Sequence, residues 1–540
     1  MTAPAPPRER LALLLLPAVA LLAILPLLVF GCSCGHDFDF HLLSWLEAAT
    51  QFAHGNLHPH WAYTPAFNAG EPRFVFYPPL SWTIGALLGL VLPWSAVPIA
   101  YTWLVLTAAG LACYKLLRAF VPQNTALLIA SLYMVNPYML FTAYERTAYA
   151  ELLAAAWLPL LLYAILRPRV TTTGIAIPIA LLWLTNAPAA VIGCYSLALL
   201  TIVRIVQERR ASLLKPTIAG TLLGIGAAAF YILPAAYERR FVWINMAMVN
   251  GMAITDNFLF HHTTDPDHDT VLRTASLIAV GFLLVFGATL LVLLRRKQPR
   301  IAPLATLFLG IAFLLTPLSA LFWHYAPELA FLQFPWRFLA MLTPALALAI
   351  ALALPHLRFT AITGLILSAG LIAFGYHAFR QMCYPEDTVT SRVALYHSPL
   401  GTDPTDEYTP RTADNDSLHP NNPAFWLAAS PTAPPPDTTA APLRWPLDIT
   451  SPTAQFLILN LHDYPAWRIT VNHSLIPERL PRPDGLIAIP LSAGPAHIEI
   501  AYAHSLDESI GWIIFALSVA ALLYLLRNRA DLSSSKCLTT

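Results

Sequence analysis

The chain has 540 residues, of which 57% are hydrophobic and only 11% charged, and its net charge is +1. That balance excludes a soluble enzyme and an electrostatically driven nucleic-acid binder, and it leaves a polytopic membrane protein. Six cysteines (Cys32, Cys34, Cys113, Cys194, Cys383 and Cys537) show no metal-ligand spacing, although Cys32 or Cys34 is available to meet Cys383.

In chain order, Met1 to Arg10 is charged and Leu11 to Phe30 is apolar, in the manner of a signal sequence. The apolar run is long enough to span a bilayer, and Gly31-Cys32-Ser33-Cys34 is a poor cleavage site, so a retained anchor is expected. Further apolar runs fall at 78–93, 97–118, 125–143, 151–167, 171–186, 188–207, 216–235, 273–294, 301–320, 338–355, 359–377 and 509–526. If every run crosses, Lys115 and Arg118 land outside and each later loop is inverted. The 78–93 run is headed by Pro78-Pro79 and interrupted by Gly85, Gly89 and Pro93, so it is expected to lie in the interface or to re-enter. With that single exception the basic clusters all fall inside: Arg8 and Arg10, Lys115 and Arg118, Arg167 and Arg169, Arg204 through Lys215, Arg295 through Arg300, Arg358, and Arg527 and Arg529. The expected fold is a mainly α polytopic membrane protein of about twelve transmembrane helices, with both termini cytoplasmic.

The first outer loop, 31–96, opens with Gly35-His36-Asp37-Phe38-Asp39-Phe40-His41. Acids this close to a bilayer are costly unless solvated, paired or in use. Asp39 as the cap of the following helix, whose apolar residues begin at Leu42, accounts for one of them. Read functionally, Asp37 and Asp39 form a base–orienter pair or ligate a divalent cation of the Mg or Mn class. Glu145, Arg146 and Glu151 sit at the outer mouth of two spans, and Arg337 follows Trp336 in another outer stretch. Guanidinium groups outside run against the orientation bias and suit an anionic ligand such as a headgroup-level phosphate. Interfacial anchoring is the competing reading for Arg337, and a helix N-terminus the competing one for Glu151. His36, His41, Glu71, Arg73 and Tyr77 complete the substrate-binding candidates. The acidic loop with Asp265, Asp267, His268 and Asp269 reads mainly as a solvated polar loop.

The expected domains are 1–383, a transmembrane domain; 384–440, an extended Pro/Thr-rich outer segment; 441–507, an extracytoplasmic β domain; and 508–540, a last span with a cytoplasmic tail. The β domain rests on alternating stretches at Ala454–Leu461, Trp467–Val471, Leu486–Pro490 and His497–Tyr502, separated by turns such as Asp484-Gly485.

Several stretches carry a family resemblance: Gly35-His36-Asp37 with Phe40-His41, Phe74 to Leu80, Arg146 to Glu151, Gln333 to Arg337, and Tyr464 to Arg468. Together they resemble the GT-C superfamily of lipid-carrier-dependent glycosyltransferases, and within it the bacterial YfhO-like membrane proteins and those labelled 6-pyruvoyl-tetrahydropterin-synthase-related. The resemblance implies an inverting glycosyltransferase of a bacterial inner membrane that works on the cell envelope. The implied donor is a polyprenyl-phosphate sugar, and the acceptor an extracytoplasmic glycan, lipid or protein. It implies Asp37 as general base, Asp39 as its orienter or metal partner, and Arg146 and Arg337 on the leaving phosphate. A transporter or flippase of lipid-linked glycans, or an envelope scaffold, is the alternative; charges gathered at the outer surface favour the enzyme.

Overall fold

Long apolar runs with few breakers become long helices, and the computed structural model follows them. It describes residues 7–249, 251–326, 328–354, 361–437 and 439–537. Arg358 lies outside the described residues, as do the side chains of Arg8, Arg10 and Arg529. Among the described residues eight helices are long and apolar enough to cross a membrane. Two bent pairs, Ala211–Gly226 with Ala229–Phe241 and Ile301–Leu314 with Pro317–Tyr325, bring the number to ten. Twelve spans require the shorter apolar helices Leu14–Phe30 and Thr172–Thr185 as well. The bends of 72° and 92° fall at a small-residue break and before Pro317, where the helical hydrogen-bond ladder is interrupted.

The interrupted 78–93 run forms a helix of 11 residues, Pro79–Gly89. At about 1.5 Å per residue it covers roughly half of a hydrocarbon core. It lies against the Phe38–Ala53 helix with Gly85 beneath Trp45, where an added Cβ would sit 2.3 Å from the indole.

Seven strands follow near the C-terminal end: β1 (Phe425–Ala428), β2 (Leu447–Ser451), β3 (Gln455–His462), β4 (Trp467–Val471), β5 (Ser474–Leu475), β6 (Leu486–Leu491) and β7 (Gly494–Tyr502). They make two antiparallel sheets, ordered β1-β3-β6 and β2-β7-β4-β5. Alternation decides the faces. Leu457, Leu459, Ile487 and Ile489 turn toward Ile469, Ile498 and Ile500 of the other sheet. Ile458 and Ala488, one residue out of phase, pack with Ala66 and Ala69 of the 31–96 loop. The three-stranded sheet is therefore buried on both faces, and the loop is part of the core of the β region. Trp61 completes the joint, with ring centroids 5.2 Å from Trp467 and 5.5 Å from Tyr464.

The stretch expected to be extended, 384–440, contains the Val389–Tyr396 helix and strand β1. The β region thus begins ahead of residue 441. Proline on either side of β1, at Pro423 and Pro431, hides a strand of four residues from a pattern reading. A disulfide joins Cys34 to Cys383 and fixes the start of the loop to the start of this segment.

Candidate active site

The Gly35–His41 stretch is held by backbone. The N–H groups of His36 and Asp37 donate to the carbonyls of Glu145 and Arg146 at 3.3 and 2.9 Å. A Cβ on Gly35 would lie 2.0 Å from the Glu145 carbonyl oxygen, so only glycine permits this docking. The two acceptors are the last residue and the C-cap of a π-helical segment, Phe141–Glu145, which ends the preceding span.

Asp37 is the N-cap residue of Phe38–Ala53, yet its carboxylate makes no capping hydrogen bond. It faces a cavity of about 490 Å³ that also takes in His41, Tyr77, Arg146, Glu151 and Arg337. Glu151 is the hinge of the charged wall. Its Oε2 accepts from Arg146 Nη1 at 2.8 Å and lies 3.6 Å from Arg337 Nε, while Tyr138 donates to its Oε1. Arg146 lies over the Trp336 ring, 4.6 Å from its centroid, and Arg337 over Phe334 at 4.8 Å. Arg337 Nε is buried without a hydrogen bond. Two guanidinium groups thus share one carboxylate, leaving net positive charge on the wall that Asp37 faces. Burial disfavours the charge on Arg146, but Glu151 and Asp37 outweigh it and hold the group firmly protonated.

His41 is buried among Tyr77, Tyr149 and Trp45, with ring centroids 5.8, 5.3 and 6.1 Å away. Burial pushes its imidazole down to about 4, against the pull of Asp37, so it is neutral at physiological pH. Burial also drives the Tyr77 phenol well above its usual range. The cavity therefore combines the Asp37 and Glu407 carboxylates, neither in an ion pair among the described residues, with the neutral imidazole of His41 and a cationic wall.

A second cavity of about 260 Å³ shares Phe76, Pro188 and Phe331 with the first. Its further walls include Trp183, Val191, Ile232 and Ala235, between the Ala187–Glu208 and Ala229–Glu238 helices. The cavity with the charged wall therefore lies next to a more apolar one.

No family model matches the chain, and no curated protein matches it. Among solved structures it is similar to that of arabinofuranosyltransferase AftD from Mycobacteria, with a TM-score of 0.43 at 16% identity. The alignment covers 71% of this chain and 27% of that one, so the chain spans about a quarter of that protein's length.

Not every residue singled out in the sequence reaches the cavity. Asp39 sits in the first turn of the helix, where two positions along the chain means rotation by about 200°. It pairs instead with Arg392, which also binds Asp387 at 2.7 Å. This corrects the expectation of a converging Asp37–Asp39 pair, because these residues start a helix and do not share an irregular segment. Glu71 and Arg73 serve each other at 2.7 Å, and the Arg73 guanidinium further donates to Ser44 and Thr405. With the Thr405 N–H on Glu71 at 3.0 Å, this buried pair ties the loop to the outer segment and stands off the cavity. Glu145 is buried beside the site, and its backbone carbonyl is the part that meets the motif. His36 is an exposed member of the cavity rim. In the acidic loop Asp265 caps the Pro266–Arg295 helix and Asp269 binds Thr263, so these carboxylates are structural. His268, held by Asn257 at 2.7 Å, does reach the cavity. Glu407 and Tyr408 line it from the outer segment. Nothing in their Pro/Thr/Asp-rich surroundings marks them out in sequence.

Proposed function

We propose that the protein is a membrane glycosyltransferase that moves a sugar from a polyprenyl-phosphate carrier to an extracytoplasmic acceptor, with inversion at the anomeric carbon. The observation that carries this reading is the cavity in which Asp37, without a partner of its own, faces the Arg146–Glu151–Arg337 wall beside an apolar chamber. Guanidinium groups suit a phosphate, and an apolar chamber next to them suits a prenyl chain.

Asp37 takes the proton of an acceptor hydroxyl as that oxygen attacks the anomeric carbon. The bond from that carbon to the phosphate oxygen breaks, and its electron pair leaves on polyprenyl phosphate. Arg146 and Arg337 neutralise the charge that grows there in the transition state. Neutral His41 is positioned to orient a sugar or acceptor hydroxyl without competing for the proton. A Mg- or Mn-type cation shared by Asp37 and Asp39 does not fit the arrangement, because Asp39 is committed to Arg392 on another side of the helix.

The orientation follows the basic loops, with both termini cytoplasmic and the cavity on the outer face of a bacterial inner membrane. The Cys34–Cys383 disulfide supports it, since disulfides persist on the oxidising side of that membrane. YfhO-like kinship rests on the sequence stretches alone.

The test uses the full chain in nanodiscs with a panel of radiolabelled polyprenyl-phosphate sugars, comparing wild type with Asp37→Asn. Removal of a general base is expected to lower transfer by about 10²–10⁴-fold while donor binding persists. Equal turnover by the two proteins would sink the assignment. Binding without turnover by either, across the donor and acceptor panel, would turn the reading toward a carrier of lipid-linked glycans.

A further inference from the structure

At the far side of the 31–96 loop a second polar cluster has nothing to do with the cavity chemistry. His60 comes from the loop, His504 from the link between β7 and the last helix, and Glu508 from the first turn of that helix. One donor atom from each of the three lies within 4.8 Å of the others. His60 Nε2 is 3.4 Å from Glu508 Oε1, and His504 Nδ1 is 2.6 Å from Glu508 Oε2. We propose that these three side chains bind one divalent transition-metal ion of the zinc class and so fasten the loop to the last membrane helix.

Orphaned polar atoms supply an independent reason. His60 and Glu508 are 8% and 2% exposed, and His60 Nε2 and Glu508 Oε1 have no hydrogen-bond partner. The Tyr502 hydroxyl, whose ring stacks on His60, and Asp507 Oδ2, next in the chain to Glu508, have no hydrogen-bond partner among the described residues either. A buried carboxylate whose charge is not fully met is unfavourable, and a bound cation relieves it. Among the described ion pairs Glu508 meets only histidines. His60 Nε2 points at the same carboxylate, and an imidazole nitrogen and a carboxylate oxygen that face each other without a hydrogen bond are both available as metal donors. The His60 ring is already fixed, stacked on Tyr502 at 5.0 Å.

Ligand chemistry narrows the ion. Two imidazoles with one carboxylate suit zinc and its neighbours, with a fourth position left for water, whereas magnesium and calcium take oxygen ligands. His504 lies in the link just ahead of the last helix and Glu508 in its first turn, so the chain brings the two side chains together at the helix start. Because the donors come from positions 60, 504 and 508, the folded chain alone brings them together, and metal binding would add to its stability.

The experiment uses the full chain in detergent with any affinity tag removed, stripped by chelator and titrated with Co²⁺ followed by visible absorption. Metal content after equilibration with Zn²⁺ is counted by mass spectrometry. Wild type is expected to take one equivalent with intense four-coordinate bands, and Zn²⁺ should raise its Tm. His504→Ala, at an exposed side chain, leaves folding intact. It should weaken Co²⁺ binding by more than the roughly 10–100-fold that loss of an outer-shell partner costs. His473→Ala, an exposed histidine on the β region, should change nothing. Less than one equivalent in wild type, or unchanged affinity and bands in His504→Ala, would overturn the site.

Discussion

Glu151 and Glu508 make an instructive pair. Each is a carboxylate in the first turn of a membrane-length helix, and they are 5% and 2% exposed. Helix dipoles favour acids at both places, which accounts for their position but not for their fate. Glu151 is met by two arginines and a tyrosine hydroxyl, all from the chain itself. Glu508 is met by two histidines, with other acids nearby. Equal burial therefore leads to opposite needs: the first site carries surplus positive charge and suits an anion, while the second lacks positive charge and suits a cation.

The largest expected effect tests that contrast head on. Glu151→Gln leaves Arg146 and Arg337 buried without their counter-charge and should cost about 3–5 kcal/mol of stability in unfolding experiments. In metal-free protein Glu508→Gln should leave stability unchanged or raised, because it removes an uncompensated charge. Equal losses in the two variants would break the comparison.

Acid sharpens it next. The folded state holds His41 at about 4 against an ordinary value of 6.5, so the unfolded chain binds the extra proton first. Stability from this group is complete above pH 6.5 and is lost as pH falls toward 4, in all about 3 kcal/mol. A His41→Gln protein should show a shallower fall in its unfolding midpoint over that range.

Arg337→Gln removes one half of the anion wall, including a buried Nε with no hydrogen bond of its own. Polyprenyl-phosphate affinity should fall by about 1.5–3 kcal/mol, or roughly 10–150-fold, by direct binding in nanodiscs. The smallest effect belongs to Asp39→Asn. Its pair with Arg392 is partly exposed, so about 0.2–1 kcal/mol of stability should go, with donor binding and transfer untouched. A large loss of transfer in this variant would restore Asp39 to the chemistry.

These contrasts also mark what a sequence can disclose. Unbroken apolar runs specify helices wherever they occur, and the short Pro79–Gly89 helix was legible in its prolines and glycines. Asp37, Arg146, Glu151 and Arg337 stood out because charge beside a bilayer needs a reason. Their shared cavity needed the fold, as did the separation of Asp39, which depends on where a helix begins. Glu71 and Arg73 are conspicuous in sequence for the same reason as the site residues, yet they satisfy each other. His60, His504 and Glu508 carried no signal, because residues from two ends of the chain meet only after the β region closes on the loop.

The most direct measurement is a cryo-EM structure of the full chain in nanodiscs with a bound polyprenyl-phosphate sugar. The account predicts the phosphate against Arg146 and Arg337, the first isoprene units in the chamber bounded by Trp183 and Ile232, and the Asp37 carboxylate facing the anomeric carbon. A donor seated elsewhere, with that cavity holding only solvent, would contradict it.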